Sequence, residues 1–257
     1  MKKVLVQVAD KNYLNHTKSL FVNAKTRGEW DGDFCLIANN ISEEDLKDFK
    51  DTNIIVVNKN ISNYYYATMF IFEEYFKQWD VVLYMDCDVM ILDSLKDIIY
   101  PKTDEMFMDP EPFTIESYFC QGWEQNTRQN TIQKLRQQFN FIDNWGYNAG
   151  CIFFNTSLIK NNTISEIFHL QQYLQPINNH TSEMGSDQPL INLYFYPHIQ
   201  SKLFCSYWGK PKEGSKALHF CRWRAPWINN SYFDKFGKTI FEEYRDNLNL
   251  FSKVMKK

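Results

Sequence analysis

The stretch VVLYMDCDVMIL, residues 81–92, decides how this chain is read. Residues 81–85 are apolar without alternation, the pattern of a strand buried on both faces, as in the middle of a parallel sheet. Asp86, Cys87 and Asp88 follow, and a second apolar run, 89–92, closes the stretch. Two carboxylates set between oily segments lose their hydration, so a positive partner is expected beside them. In an open parallel sheet, ligands bind beyond the carboxyl ends of the strands, where this pair falls. Hard divalent ions such as Mg²⁺ or Mn²⁺ prefer oxygen ligands and bridge protein carboxylates to phosphates. The pair therefore reads as a metal–diphosphate site. The alternative is a strand-to-turn junction whose aspartates cap the next element.

Upstream, strand and helix alternate. Residues 4–9 form an apolar strand ending in the turn signal Asp10-Lys11-Asn12, and 13–26 read as a helix. Residues 34–38 form a second strand. Ser42-Glu43-Glu44-Asp45 is a capping-box start for a helix to about residue 49. A third strand covers 53–57, an apolar, aromatic helix covers 64–76, and 81–85 is the fourth strand. This order predicts an α/β fold with a doubly wound, mostly parallel sheet flanked by helices.

Downstream, residues 93–99 read as a short helix closed by Pro101, and 106–108 as a strand running into Asp109-Pro110-Glu111-Pro112. Residues 113–144 are polar and rich in Gln and Asn, with helical spacing of Ile132, Leu135 and Phe139. They read as an insertion or acceptor-side element, or as a solvated helix that only closes the fold. A strand at 147–155 carries Asn148-Ala149-Gly150, and a helix follows at 163–174. Gly185-Ser186-Asp187-Gln188-Pro189 opens another helix, with Ser186 as N-cap and Pro189 in the first turn. Short strands near 202–205 and 217–220 precede an amphipathic helix over 232–251. With no internal repeat and no linker, residues 1–257 read as a single domain.

Bulk properties exclude several classes. The net charge is −3, so no electrostatic nucleic-acid binder is expected. The 17% aromatic content supplies rings for sugar or base stacking as well as core. The six cysteines are scattered with no C-x-x-C pair, which argues against a zinc site or disulfide framework and for reduced, buried thiols. The opening MKKVLVQVAD holds too short an apolar run for a signal peptide, and no run approaches the ~20 apolar residues of a membrane span. Asn-x-Ser/Thr triplets, such as those at Asn15 and Asn155, are then by-products of an Asn-rich composition. The expected location is cytoplasmic.

Four features occur in order: the first strand with Tyr13 behind it, Asp86-Cys87-Asp88, Asn148-Ala149-Gly150 with the later Asp187-Gln188-Pro189-Leu190-Ile191-Asn192, and His219-Phe220 leading to Pro226-Trp227. In this order and spacing the chain resembles glycosyltransferase family 8 of the GT-A fold, the glycogenin and lipooligosaccharide galactosyltransferase group. The likeness spans nearly the whole chain and is weakest over 100–145. It implies retaining transfer of a hexose from a nucleotide-sugar, usually a UDP-sugar, with Mn²⁺ or Mg²⁺, to a glycan, protein or lipid-linked acceptor. By position it implies Asp86, Asp88 and His219 as metal ligands, and imidazole suits Mn²⁺ better than Mg²⁺. Tyr13 would stack on the uracil, and the Ala9–Asp10 backbone would read its edge. Cys87 would belong to the donor site, and Asn148 and Ala149 would touch the donor sugar or diphosphate. Asp187 and Gln188 would lie beside the anomeric carbon as the catalytic pair. A homodimer follows from family analogy alone.

The chain departs from the family pattern at two cations. The helix before Asp86 usually carries a Lys or Arg, and residues 64–76 hold none. The family's H-F-x-G-x-x-K-P-W has Arg222 at the Gly position and Ala225 at the Lys position. Arg222 and Arg224 are the expected replacements, since guanidinium binds phosphate with two donors. Two other readings stand beside the transferase. One is a nucleotide-sugar-binding pseudoenzyme of the same fold, motivated by those missing cations. The other is a sugar nucleotidyltransferase, which needs a Gly-bearing loop after the first strand that residues 10–14 lack.

Overall fold

A computed structural model describes the chain except residues 63, 119–124, 175–186, 203, 208–211, 222–224, 226 and 228–234. The central sheet has seven strands in the order β3-β2-β1-β4-β7-β6-β8. These are β1 (Lys3–Ala9), β2 (Asp33–Asn39), β3 (Ile54–Lys59), β4 (Val81–Met85), β6 (Met106–Thr114), β7 (Trp145–Asn155) and β8 (Ile199–Gln200). Strand β4 pairs parallel to β1 and antiparallel to β7, and β7 also runs antiparallel to β6. The sheet is therefore mixed and mostly parallel, with β7 reversed. All five residues of β4 are buried, as expected for a central strand.

Side chains alternate to two cores. Val4, Val6, Val8, Val82 and Tyr84 face one, and Leu5, Ala9, Val81, Leu83 and Met85 face the other. The first is covered by α4 (Thr163–Leu174), α5 (Asp187–Phe195) and the apolar segment 64–78, and the second by α1 (Leu14–Thr26) and α6 (Lys235–Val254). Two further helices, α2 (Ile115–Tyr118) and α3 (Gln125–Gln138), precede β7. Ile132 and Leu135 of α3 are buried, in keeping with the spacing of the polar segment. Among the described residues, no helix is long and apolar enough to cross a membrane.

Chain order reverses between β1 and β4. From β1 the chain steps outward to β2 and β3, then returns to the other side of β1 as β4. Such a switch point opens a crevice at the carboxyl ends of the two strands. Asp10 leaves β1 there, and Asp86 leaves β4 there.

A second sheet sits beside this crevice, in the order β5-β10-β9, made of β5 (Val89–Ile91), β9 (Cys205–Tyr207) and β10 (Ala217–His219). Asn23 of α1 closes the free edge of β5. Its Oδ1 accepts from the Ile91 N–H at 2.6 Å, and its Nδ2 donates to the Ile91 carbonyl at 3.0 Å.

Several local expectations are corrected. Residues 93–99 form turns, because Asp93 and Ser94 side chains take the backbone N–H groups of Ser94 and Lys96, and the Leu95 N–H goes to the Gly28 carbonyl. Ser42 accepts from the Asp45 N–H at 3.2 Å as a cap should, yet only a 3₁₀ turn, Lys47–Phe49, follows. The segment 64–78 winds as two 3₁₀ runs, Tyr64–Phe72 and Glu74–Gln78, and not as an α-helix. Its first run is apolar on every side and is held by packing, so no face demands α periodicity. Strand β6 passes through Asp109-Pro110-Glu111-Pro112 with register shifts at two places, which lets a strand carry prolines. The strand expected near 202–205 begins at Cys205.

Candidate active site

Asp86 and Asp88 lie just past β4 at the switch point. The Asp86 N–H donates to the Gly150 carbonyl at 2.7 Å, tying it to β7. Tyr84, fully inside the sheet, donates its hydroxyl to Asp86 Oδ1. Asp88 is buried, and its main chain is fixed by β5 immediately after it.

His219, more than a hundred residues away in sequence, arrives by strand pairing. Strand β10 runs antiparallel to β5 with His219 opposite Val89, and the Phe220 N–H donates to the Asp88 carbonyl at 3.0 Å. His219 Nε2 comes to 3.1 Å from Asp88 Oδ1 and 3.6 Å from Asp86 Oδ2. One ligand atom from each of the three residues lies within 4.8 Å of the others. The opposite side of the imidazole packs on glycine: a β-carbon on Gly150 would fall 2.0 Å from His219 Cε1.

The electrostatics of this cluster call for a cation. Burial, and next the Asp88 charge, push the Asp86 carboxyl up to about 7. Burial alone would lower His219, but the Asp88 carboxylate outweighs it and holds the imidazole well above its ordinary range. Two carboxylate oxygens and one imidazole nitrogen fit a divalent cation.

A polar cluster adjoins the carboxylates. Asn148 Oδ1 accepts from His219 Nδ1 at 2.8 Å and from the Gly150 N–H at 2.9 Å. Gln188, the second residue of α5, accepts from the Ala149 N–H at 3.0 Å. Asp187 opens α5, where the helix dipole favours an anion, and its charge also raises Asp86 and Tyr84.

On the β1 side, Ala9 is the last strand residue and Asp10 caps the next turn by accepting from the Asn12 N–H at 2.8 Å. Tyr13 is half-buried and meets His16 edge-on, with ring centroids 5.7 Å apart. Cys87 is half-buried between the carboxylates, and burial together with Asp88 and Asp86 keeps its thiol protonated. Arg222 and Arg224 lie outside the described residues, as do Ser186, Pro226 and most of the tryptophans after residue 120.

Several neighbours of the site went unread in the sequence. Glu111 of β6 accepts from Asn148 Nδ2 at 2.8 Å, Gln188 Nε2 at 3.0 Å and the Tyr118 hydroxyl at 2.7 Å. Lys212 reaches Asp109, the β-partner of Asn148, at 3.5 Å. His16 bonds the Tyr244 hydroxyl at 2.8 Å, and burial lowers it more than the nearby Asp88 raises it. Glu111 was the findable one: a lone Glu between two prolines, directly after a buried run, points to a strand that delivers a carboxylate.

The model of Glycosyl transferase family 8 matches residues 4–207. The chain belongs to glycosyltransferase family 8. Among solved structures it is similar to the galactosyltransferase LgtC in complex with donor and acceptor sugar analogues, at 16% identity and a TM-score of 0.66, over 95% of each chain. It is also similar to the bifunctional glycosyltransferase WbbM, at 15% identity and TM-score 0.64, over 98% of this chain and 51% of that one. The glycosyltransferase GlyE of Streptococcus pneumoniae aligns at 16% identity and TM-score 0.61, over 100% of this chain and 65% of that one. The chain thus spans about half of WbbM and two thirds of GlyE. No curated protein matches it by sequence. At such identities the likeness carries the fold, and the fold is that of the GT-A glycosyltransferases.

Proposed function

We propose that this family 8 chain is a metal-dependent, retaining hexosyltransferase that uses a UDP-sugar and passes the hexose to a glycan, protein or lipid-linked acceptor. The observation that carries this reading is the Asp86–Asp88–His219 cluster at the switch point, with Asp88 and His219 buried, Asp187 close enough for its charge to act on Asp86 and Gln188 bonded to Asn148.

The reaction breaks the bond between the anomeric carbon and the diphosphate oxygen. Negative charge grows on the diphosphate and positive charge on the sugar ring. Asp86, Asp88 and His219 would hold Mn²⁺, which when bound stabilises the leaving diphosphate as a Lewis acid. Tyr13 and the Ala9–Asp10 backbone are proposed to receive the uracil base. Arg222 and Arg224 are proposed as the phosphate-binding cations that replace the family's usual ones. Asp187 is proposed to face the ring's positive charge. Gln188 is less suited, because its carbonyl oxygen already accepts from Ala149. If a glycosyl–enzyme bond forms, Asp187 is its carboxylate.

A thermal-shift screen of nucleotides and nucleotide-sugars, with and without Mn²⁺, tests the donor site. A shift with UDP or one UDP-sugar that needs Mn²⁺ supports it, and a shift with GDP- or CMP-sugars instead breaks the uridine assignment. Hydrolysis of the UDP-sugar without acceptor, followed by NMR, tests turnover and retention of configuration. Mn²⁺-dependent hydrolysis would exclude the pseudoenzyme reading.

A further inference from the structure

We infer that Glu111 is a positioning residue that acts through Asn148 on the metal ligand His219. The inference rests on the metal-site reading above and extends it to a carboxylate outside that cluster.

The argument is one of donors and acceptors. A carboxylate only accepts hydrogen bonds, whereas an amide has one accepting and one donating end. Glu111 is buried, 6% exposed, and takes three donors: the Tyr118 hydroxyl, Asn148 Nδ2 and Gln188 Nε2. It therefore draws the NH₂ ends of both amides toward itself. Their oxygens must then face away, and each meets a backbone N–H that cannot change sides. Asn148 Oδ1 meets Gly150, and Gln188 Oε1 meets Ala149.

With Asn148 turned this way, its oxygen also faces His219 Nδ1 at 2.8 Å. Nδ1 must carry a proton, so when the ring gives up its other proton the lone pair falls on Nε2, the nitrogen that points at Asp86 and Asp88. An imidazole binds a metal through its unprotonated nitrogen, and an outer partner on the other nitrogen sets which one that is. The order is Glu111, Asn148, His219, then the carboxylates.

The surroundings are shaped for this relay. Tyr118 reaches Glu111 by crossing β7 at Gly146, where a β-carbon would fall 2.3 Å from its hydroxyl. Asn148 is 8% exposed and His219 5%, so water does not replace a lost partner cheaply. Placing an amide at position 111 sets a donor against Asn148 or Gln188, and one of them loses its bond.

The test has two readouts, neither of which is turnover. In the metal-free protein, at a pH high enough to remove the second proton that Asp88 holds on the ring, ¹⁵N shifts of the neutral imidazole report the tautomer of His219, assigned by its loss in H219Q. Wild type is expected to show the proton on Nδ1, and E111Q and N148A to lose that preference. Mn²⁺ affinity, read by electron paramagnetic resonance of the free ion, is expected to fall about 10–100-fold in N148A and in E111Q. The double variant should fall no further than N148A alone, because both changes cut one path. An unchanged tautomer in E111Q and N148A overturns the relay, as do additive losses of affinity. The near-isosteric E111Q guards against loss of fold, checked by its unfolding transition. If wild type binds no Mn²⁺ while the tautomer responds as expected, the relay stands and the metal reading fails.

Discussion

The Cε1 edge of His219 abuts Gly150: a β-carbon at that glycine would come within 2.0 Å of Cε1 and 2.4 Å of Nδ1. No real contact is that short, so any side chain at position 150 must push the imidazole away. Gly150→Ala should therefore lower Mn²⁺ affinity at least about tenfold, in line with losses seen when a metal ligand is disturbed from behind. Calorimetric titration with Mn²⁺ checks this. Wild-type affinity in the variant would show that the ring does not need that place.

Asp88→Asn keeps the shape of the site but removes a buried charge beside Asp86 and His219. The variant should fold, with a melting temperature near that of wild type, and should lose the stabilisation by Mn²⁺. Scanning fluorimetry with EDTA and with Mn²⁺ makes the comparison. An equal Mn²⁺ shift in both proteins would remove Asp88 from the ligand set.

Metal and pH should be linked. Asp86 is pushed up to about 7 in the folded chain against 3.8 for an ordinary aspartate, so its contribution to stability is present below about 4 and is lost as pH rises through 7. His219, also raised, contributes in the same sense. A divalent cation binds the deprotonated forms and reverses the trend. The Mn²⁺-induced rise in melting temperature should be larger at pH 8 than at pH 6. A shift independent of pH would contradict the buried-carboxylate account.

Asn23 holds the edge strand that leads out of Asp88. Removing its side chain leaves the Ile91 N–H and carbonyl without partners on that side, and breaks a 3.0 Å bond to Glu243 of α6. Asn23→Ala should cost about 2–4 kcal/mol, since unmet buried polar groups cost about 1–3 kcal/mol each. Urea denaturation followed by circular dichroism measures it. A midpoint equal to wild type would mean that β5 is held by β10 alone.

Much of the fold was legible because β-period and helix-period patterns are local. The continuous run at 81–85 became a fully buried central strand with the bounds read from it. The helix at 163–174 was likewise found where its spacing put it. Misreadings fell where tertiary contacts overrule local signals. Leu95 gives its N–H to Gly28, so the sequence 93–99 closes only a single turn, from the Ile98 N–H to the Leu95 carbonyl, and no α-helix. Within the site, Asp86 and Asp88 announced themselves as charges in an oily run. Glu111 did not, because its meaning depends on Asn148 and Gln188, which approach it from other elements. The reversal of β7 was invisible as well, since a buried strand reads alike in either direction.

That reversal makes pairing register a working part of the site. Met85 sits opposite Cys151 and Asp109 opposite Asn148, and these alignments bring Gly150 against the imidazole and Asn148 to its Nδ1. Sliding β7 by one residue would send each side chain to the opposite face of the sheet. Asn148 would then turn from the imidazole, and a β-carbon would stand where the ring must lie. Such a species would also exchange Ile152 and Phe154 of one core with Cys151 and Phe153 of the other. On the proposed metal reading, Mn²⁺ uptake would report whether the chain has assembled in its native alignment, and a refolded preparation could be graded by the fraction of molecules that bind it.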